Sequence, residues 1–162
     1  MGDIELELYT DKAPKTAQAF LQHVDSGYYT QSSFYRVVLQ EGLSANQNTG
    51  LIQGGIFLTN DKKFPHPPKL PHEHTGITGL HHNTGTLSMA RNEPGTADTE
   101  FFICIGDQTQ YDYGNSGVAD QQGYSAFGKV TQGMPIVRLI QQQKAQGDQF
   151  SPKIIIYKIE RF

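Results

Sequence analysis

Five of the six histidines, His66, His72, His74, His81 and His82, crowd one stretch of the chain. Neutral imidazole is a common metal ligand, and the alternation His72-Glu73-His74 would set both rings on one face of a strand. No acidic or cysteine residue completes a familiar ligand spacing, however, and the stretch has the composition of a loop. Solvated or capping histidines are therefore the reading, with a metal-dependent role as the minor one. Cys104, the only cysteine, sits between Ile103 and Ile105, as a buried core thiol would. Alone it excludes both an intrachain disulfide and a cysteine-built zinc site. No Gly-rich phosphate loop, HExxH or nucleophile elbow occurs. Arg36 stands in an apolar strand pattern, where an arginine by itself usually faces solvent.

The 162 residues are 36% hydrophobic and 18% charged, with 9 Phe, 8 Tyr and no Trp. That is enough apolar bulk for one packed domain spanning residues 1–162. The net charge of -3 argues against a nucleic-acid or anionic-membrane surface. No apolar run approaches the roughly 18 residues of a membrane span, and nothing resembles a signal peptide. The compartment stays open between the cytoplasm and, should a leader have been removed, the periplasm or exterior.

The elements that must position any site follow from periodicity. Ile4, Leu6 and Leu8 alternate with Glu5 and Glu7 as in a half-wet strand. Pro14 suits a first helical turn, and Ala17, Phe20, Leu21 and Val24 follow at helical spacing before Gly27. Strands are expected over 33–39, from Leu51 through Gly54-Gly55 to Leu58, and over 86–90, 100–105, 126–130 and 154–159. A glycine pair inside a strand signals a bulge or a close backbone approach. The stretch 40–50 reads as a polar loop, 60–84 as a long ordered loop, and Pro135 opens a second helix. Without β-α-β alternation, a mostly antiparallel barrel or sandwich is favoured.

Several ordered pieces then converge. They are Ser33-Phe34-Tyr35-Arg36-Val37-Val38 with Ile52-Gln53-Gly54-Gly55, Gly85-Thr86-Leu87-Ser88-Met89-Ala90, Glu100-Phe101-Phe102-Ile103-Cys104, and Ala126-Phe127-Gly128-Lys129-Val130. Together with Leu8-Tyr9, Asp11, Ala13-Pro14-Lys15-Thr16 and Phe20, they resemble the cyclophilin family of peptidyl-prolyl cis-trans isomerases, in a divergent, bacterial-type form. The resemblance runs over nearly the whole chain. It implies a closed antiparallel eight-stranded barrel capped by two α-helices. Members usually carry a strand before the one matching Ile4 to Leu8. Either the start is trimmed or the barrel has a gap beside its last strand, whose bare edge would invite pairing with another chain.

The resemblance implies a non-covalent reaction on proline-containing peptides and folding proteins, with no cofactor and no metal. Arg36 matches the catalytic arginine, Gln53 the glutamine that orients the substrate backbone, and Phe102 the floor of the proline pocket. Met89 and Ala90 match the edge along which substrate lies, although a core position suits Met89 as well. Phe101 should face the barrel core. The departures are specific. Seventeen positions separate Arg36 from Gln53, because 40–48 is an extra loop. Gly50 stands where a phenylalanine is usual and Leu51 where a methionine is. The pocket tryptophan falls near Gln110-Tyr111, the usual histidine is Tyr124, and Glu100 replaces a glutamine, bringing negative charge close to Arg36. Leu51, Tyr111 and Tyr124 are expected to refill the wall. Two functions follow: an isomerase of reduced or shifted activity with weak affinity for cyclosporin-type ligands, or a catalytically weak or inactive module that binds proline peptides in the same groove.

Overall fold

The computed structural model describes residues 1–162. Its strands are β1 (Glu5–Leu8), β2 (Ser32–Gln40), β3 (Thr49–Gly55), β4 (Thr86–Met89), β5 (Phe101–Ile105), β6 (Ser125–Gln132), β7 (Ala145–Gln146) and β8 (Gln149–Ile156). Its helices are α1 (Pro14–Asp25), α2 (Thr75–Thr78) and α3 (Met134–Gln141). Proline occupies the first turn of both α1 and α3, where its missing N–H has no helical partner to lose. The helical spacing of α1 lays Ala17, Phe20 and Val24 against the sheet. Phe20 meets Tyr29, Phe101 and Phe127 at ring separations of 5.1, 5.5 and 5.1 Å. Truncating such a ring costs about 3–5 kcal/mol.

Four elements depart from the periodic reading. The last strand, expected over 154–159, is β8 over Gln149–Ile156, with Pro152 in the stretch that the β2 bulge leaves without ladder partners. The two-residue β7 and the single turn of α2 are too short to leave a period. Beyond Gly55 the expected strand stops, because Ile56 O accepts the amides of Thr59, Asn60 and Asp61 and folds the chain into a turn. Leu58 there takes a left-handed φ of 63°.

All pairings are antiparallel in one sheet of order β1-β6-β4-β5-β3-β2-β8-β7. The sheet does not close, which corrects the expected closed barrel. β1 pairs only with β6. After Ile156 the chain leaves the sheet: Tyr157 O accepts Gln31 N, and Arg161 pairs with Asp25, the last residue of α1. It therefore never turns back to meet β1.

Side chains fasten the long segment 56–85 to this frame. Asn60 Nδ2 donates to Tyr28 O and Thr30 O, and Tyr28 Oη donates to Pro65 O. The Glu73 carboxylate accepts Thr16 N and Thr16 Oγ1, at 2.6 and 2.7 Å. It thereby caps α1, whose own N-cap residue, Ala13, offers no side-chain acceptor. His72 and His74 flank that cap. The His72 ring bonds Gln122 O, and the His74 ring stacks on Tyr113 at 4.0 Å.

The extra loop 40–48 leads into β3, whose second residue, Gly50, has a φ of 128°. A Cβ at Gly50 would lie 2.0 Å from Val38 O. No side chain fits, so Gly50→Ala should lower the unfolding free energy by about 2 kcal/mol in a urea titration. An unchanged midpoint would contradict the close approach.

Burial also lowers the imidazole pKa of His23, His72, His74 and His82, the neighbouring Asp98 opposing it at His23 and Asp112 at His82. The unfolded chain then takes up protons first, from the ordinary value of 6.5 downward. Stability is full above that value and drains away as pH falls toward the depressed folded values. The thermal midpoint is expected to be lower at pH 5 than at pH 7, and a midpoint that rises would refute this.

Candidate active site

Strand register brings distant residues into one row. Arg36 on β2 lies opposite Gln53 on β3, Gln53 opposite Phe102 on β5, and Phe102 opposite Ser88 on β4. Adjacent strands lie about 4.8 Å apart, so these side chains are immediate neighbours. Alternation assigns the two faces. Phe101, Ile103 and Ile105 enter the main core, while Leu51, Phe102 and Cys104 form a smaller cluster on the opposite face. Phe101 thus faces inward as expected.

The register of β2 slips between Phe34 and Arg36 against both of its neighbours. Phe34 and Val37 both reach the core, three positions apart, which strict alternation forbids. The bulge leaves Tyr35 and Arg36 free to meet the same amide. Arg36 Nη1 donates to Gln53 Oε1 at 3.0 Å, and Gln53 Nε2 donates to Tyr35 Oη at 3.0 Å. Arg36 Nε is taken by Asp148 at 2.9 Å, which leaves Nη2 without a protein partner. The Arg36 side chain is 41% exposed.

Arg36 and Gln53 line a cleft of about 520 Å³. Arg36, Leu51, Gln53, Ala90, Glu100, Phe102, Tyr111 and Tyr124 all border it. Met89 does not: at 1% exposure its side chain belongs to the main core. The row position that Met89 would have needed is held by its neighbour Ser88. A smaller hollow of about 290 Å³, lying between Asn46 and α3, offers neither an aromatic nor an acidic residue.

Phe102 is the floor, 2% exposed. Tyr124 and Tyr111 stand nearly perpendicular to it at 5.3 and 6.0 Å, and to one another at 5.4 Å. Edge-to-face contacts of this kind suit the ring quadrupoles. With Leu51 and Val38 they form the apolar wall. Arg91, absent from the sequence reading, holds Tyr124 in place. Its guanidinium lies 5.1 Å from that ring, pairs with both Asp120 oxygens and donates to Gly123 O. Nothing in the local pattern distinguishes Arg91 or Asp148. Each acts through a chain-distant loop.

Behind the floor, His82 Nδ1 lies 2.7 Å from Asp112 Oδ1 and Nε2 lies 2.9 Å from Ser88 Oγ. Serine, histidine and aspartate thus meet in hydrolase-like order. Ser88 and His82 are fully buried, however, and no substrate reaches the hydroxyl. Burial opposes charge on Asp112, yet hydrogen bonds from both His81 and His82 hold its carboxyl below the usual range. His72 and His74 lie with their rings 5.4 Å apart, and no three potential ligands converge on a metal position. Burial pushes the Cys104 thiol well up, as suits an inert core residue.

Glu100 does not touch Arg36, although negative charge beside it is what the sequence suggests. The carboxylate at the guanidinium is Asp148. Glu100 instead accepts Tyr35 Oη at 3.1 Å, Phe57 N at 3.0 Å, Ile56 N at 3.2 Å and Thr99 Oγ1 at 2.7 Å. Burial raises its pKa against the pull of these donors.

The family described as cyclophilin type peptidyl-prolyl cis-trans isomerase/CLD matches residues 1–161. A peptidyl-prolyl cis-trans isomerase of Acinetobacter baylyi is 36% identical over 138 residues, 85% of this chain, and the match spans 65% of that protein. Peptidyl-prolyl cis-trans isomerase A of Dickeya dadantii is 34% identical over 146 residues, 90% of this chain and 69% of that protein. A cyclophilin type peptidyl-prolyl cis-trans isomerase of Cryptosporidium parvum, crystallised in the presence of the dipeptide Ala-Pro, superposes with a TM-score of 0.75 at 25% identity. That match covers 97% of this chain and 90% of the other.

Proposed function

The chain belongs to the cyclophilin-type peptidyl-prolyl cis-trans isomerase family, and we propose that its cleft accelerates rotation about X–Pro bonds in peptides and folding proteins. Resonance sets a barrier of roughly 18–20 kcal/mol to that rotation. Shortening it from tens of seconds to milliseconds takes about four decades of rate, or roughly 5–6 kcal/mol. No bond need be made or broken. Twisting the amide localises a lone pair on the prolyl nitrogen, and a fixed, permanently charged donor binds that twisted state better than either planar one.

The observation that carries this reading is the row Arg36-Gln53-Phe102. A guanidinium with its Nη2 hydrogens unclaimed stands beside an aromatic floor in one cleft. Arg36 is the catalytic residue in this scheme. Gln53 orients the substrate backbone, its amide already fixed at both ends. Phe102 is the floor beneath the proline ring, with Leu51, Tyr111 and Tyr124 as the wall and Ala90 at the edge along which the peptide lies. The Ala-Pro dipeptide present with the Cryptosporidium relative supports a proline-containing occupant here.

Exchange NMR on a proline peptide tests the proposal. The wild-type protein should speed cis-trans exchange, and Arg36→Ala should lower kcat/KM by about 10²–10³-fold. Shifted peptide resonances with no faster exchange would make the protein a proline-peptide binder instead. Undiminished turnover in Arg36→Ala would remove the arginine from the mechanism.

A further inference from the structure

Three hydrogen bonds run head to tail away from Arg36: Nη1 to Gln53 Oε1, Gln53 Nε2 to Tyr35 Oη, and Tyr35 Oη to Glu100 Oε1. We propose that Tyr35 and Glu100 are positioning residues that fix which end of the Gln53 amide faces Arg36, and through it the aim of the guanidinium into the cleft. The inference rests on the isomerase reading above and adds a direction to it.

The direction follows from donor and acceptor chemistry. An arginine can only donate and an ionised carboxylate can only accept. Between these two ends each link has one possible sense. The Tyr35 hydroxyl gives its hydrogen to Glu100, so its oxygen is left to accept, and what it accepts is an N–H of Gln53. The amide oxygen is thereby turned toward Arg36. A flipped amide would set N–H against the guanidinium and oxygen against an oxygen with no hydrogen to offer. Charge-assisted bonds at both ends strengthen the chain.

Glu100 is held for this task. Four donors from Tyr35, Thr99 and the turn at Ile56-Phe57 surround its carboxylate. A Cβ on Gly55 would come within 2.4 Å of it, so the second glycine of the strand's glycine pair makes the space. The β2 bulge supplies the rest, since without it Tyr35 and Arg36 would face opposite sides of the sheet.

Tyr35→Phe removes one oxygen and keeps the ring that packs against Phe57. It should lower kcat/KM about tenfold, the loss expected for one bond in a charged chain. Glu100→Gln, which keeps shape and loses the obligatory acceptor, should cost at least about threefold. The double variant should fall no further than Tyr35→Phe, because both cut one relay. The side-chain amide resonances of Gln53 should move in each single variant, while backbone resonances of β6 stay in place. Full turnover in Tyr35→Phe, losses that multiply in the double variant, or unmoved Gln53 resonances would overturn the relay. A wild-type protein without turnover would overturn the isomerase reading. The relay is then judged on titration with the same proline peptide, weaker binding by Tyr35→Phe supporting it and equal binding refuting it.

Discussion

One extra residue in β2 governs the site. In a regular strand only alternate side chains share a face, so Arg36 would bring Phe34 and Val38 with it and send Tyr35 inward. The bulge breaks that rule between Phe34 and Arg36. Phe34 then fills the core beside Phe101, at a ring separation of 5.9 Å, while Tyr35 and Arg36 both reach Gln53. The partner strand accommodates the distortion with glycine. A Cβ on Gly54 would lie 2.8 Å from Ser33 O and from the Phe34 ring. Bulge and glycine pair are therefore one feature seen from two strands, and the polar half of the cleft is built on it.

The apolar half is assembled differently. Phe102 is fixed by strand alternation alone, but its neighbours Tyr111 and Tyr124 come from loops and need their own anchors. Tyr111 N donates to Gln108 O, and Tyr124 N donates to Tyr111 O. Arg91, whose side chain is 2% exposed, pairs with Asp120 and covers the Tyr124 ring. An arginine so enclosed is tolerable only because its donors are matched by Asp120, Gly123 O and Asn92 O. The wall that lacks a tryptophan and a phenylalanine is thus carried by two tyrosines, each locked from behind. Gly50 contributes nothing to it, since its backbone approach to Val38 leaves no room for any side chain.

Much of this was legible in the sequence, and the rest was hidden for definite reasons. Alternation put Phe101 inward and Phe102 outward, and the glycine pair announced a close approach. The ordered motifs bring Arg36, Gln53 and Phe102 together through the family resemblance. Tyr35 was not singled out, because a bulge leaves no periodic signature in a segment as apolar as 33–39. Asp148 and Arg91 act across turns whose partners are far along the chain, and no local pattern marks them. Met89 was ambiguous by nature, being apolar at a strand end between core and groove. Glu100 was read as a charge near Arg36. Its actual partners are the hydroxyls of Tyr35 and Thr99 and two backbone amides of a turn that the strand reading of 56–58 hides.

The open sheet sharpens what the site requires. Strands β4, β5, β3 and β2 carry the row, and in the sheet order they are the central four, with β6 and β1 on one side and β8 and β7 on the other. Fraying in an incomplete barrel begins at unpaired edges, where ladder bonds are exposed and few contacts oppose opening. One strand, β6, therefore separates the row from the edge strand β1, and one, β8, separates it from β7 at the other edge. Only the Asp148 contact depends on an outer element, since that residue lies in the turn between β7 and β8. Loosening of that turn would free Arg36 Nε while leaving its bond to Gln53, and with it the relay, held by the middle of the sheet.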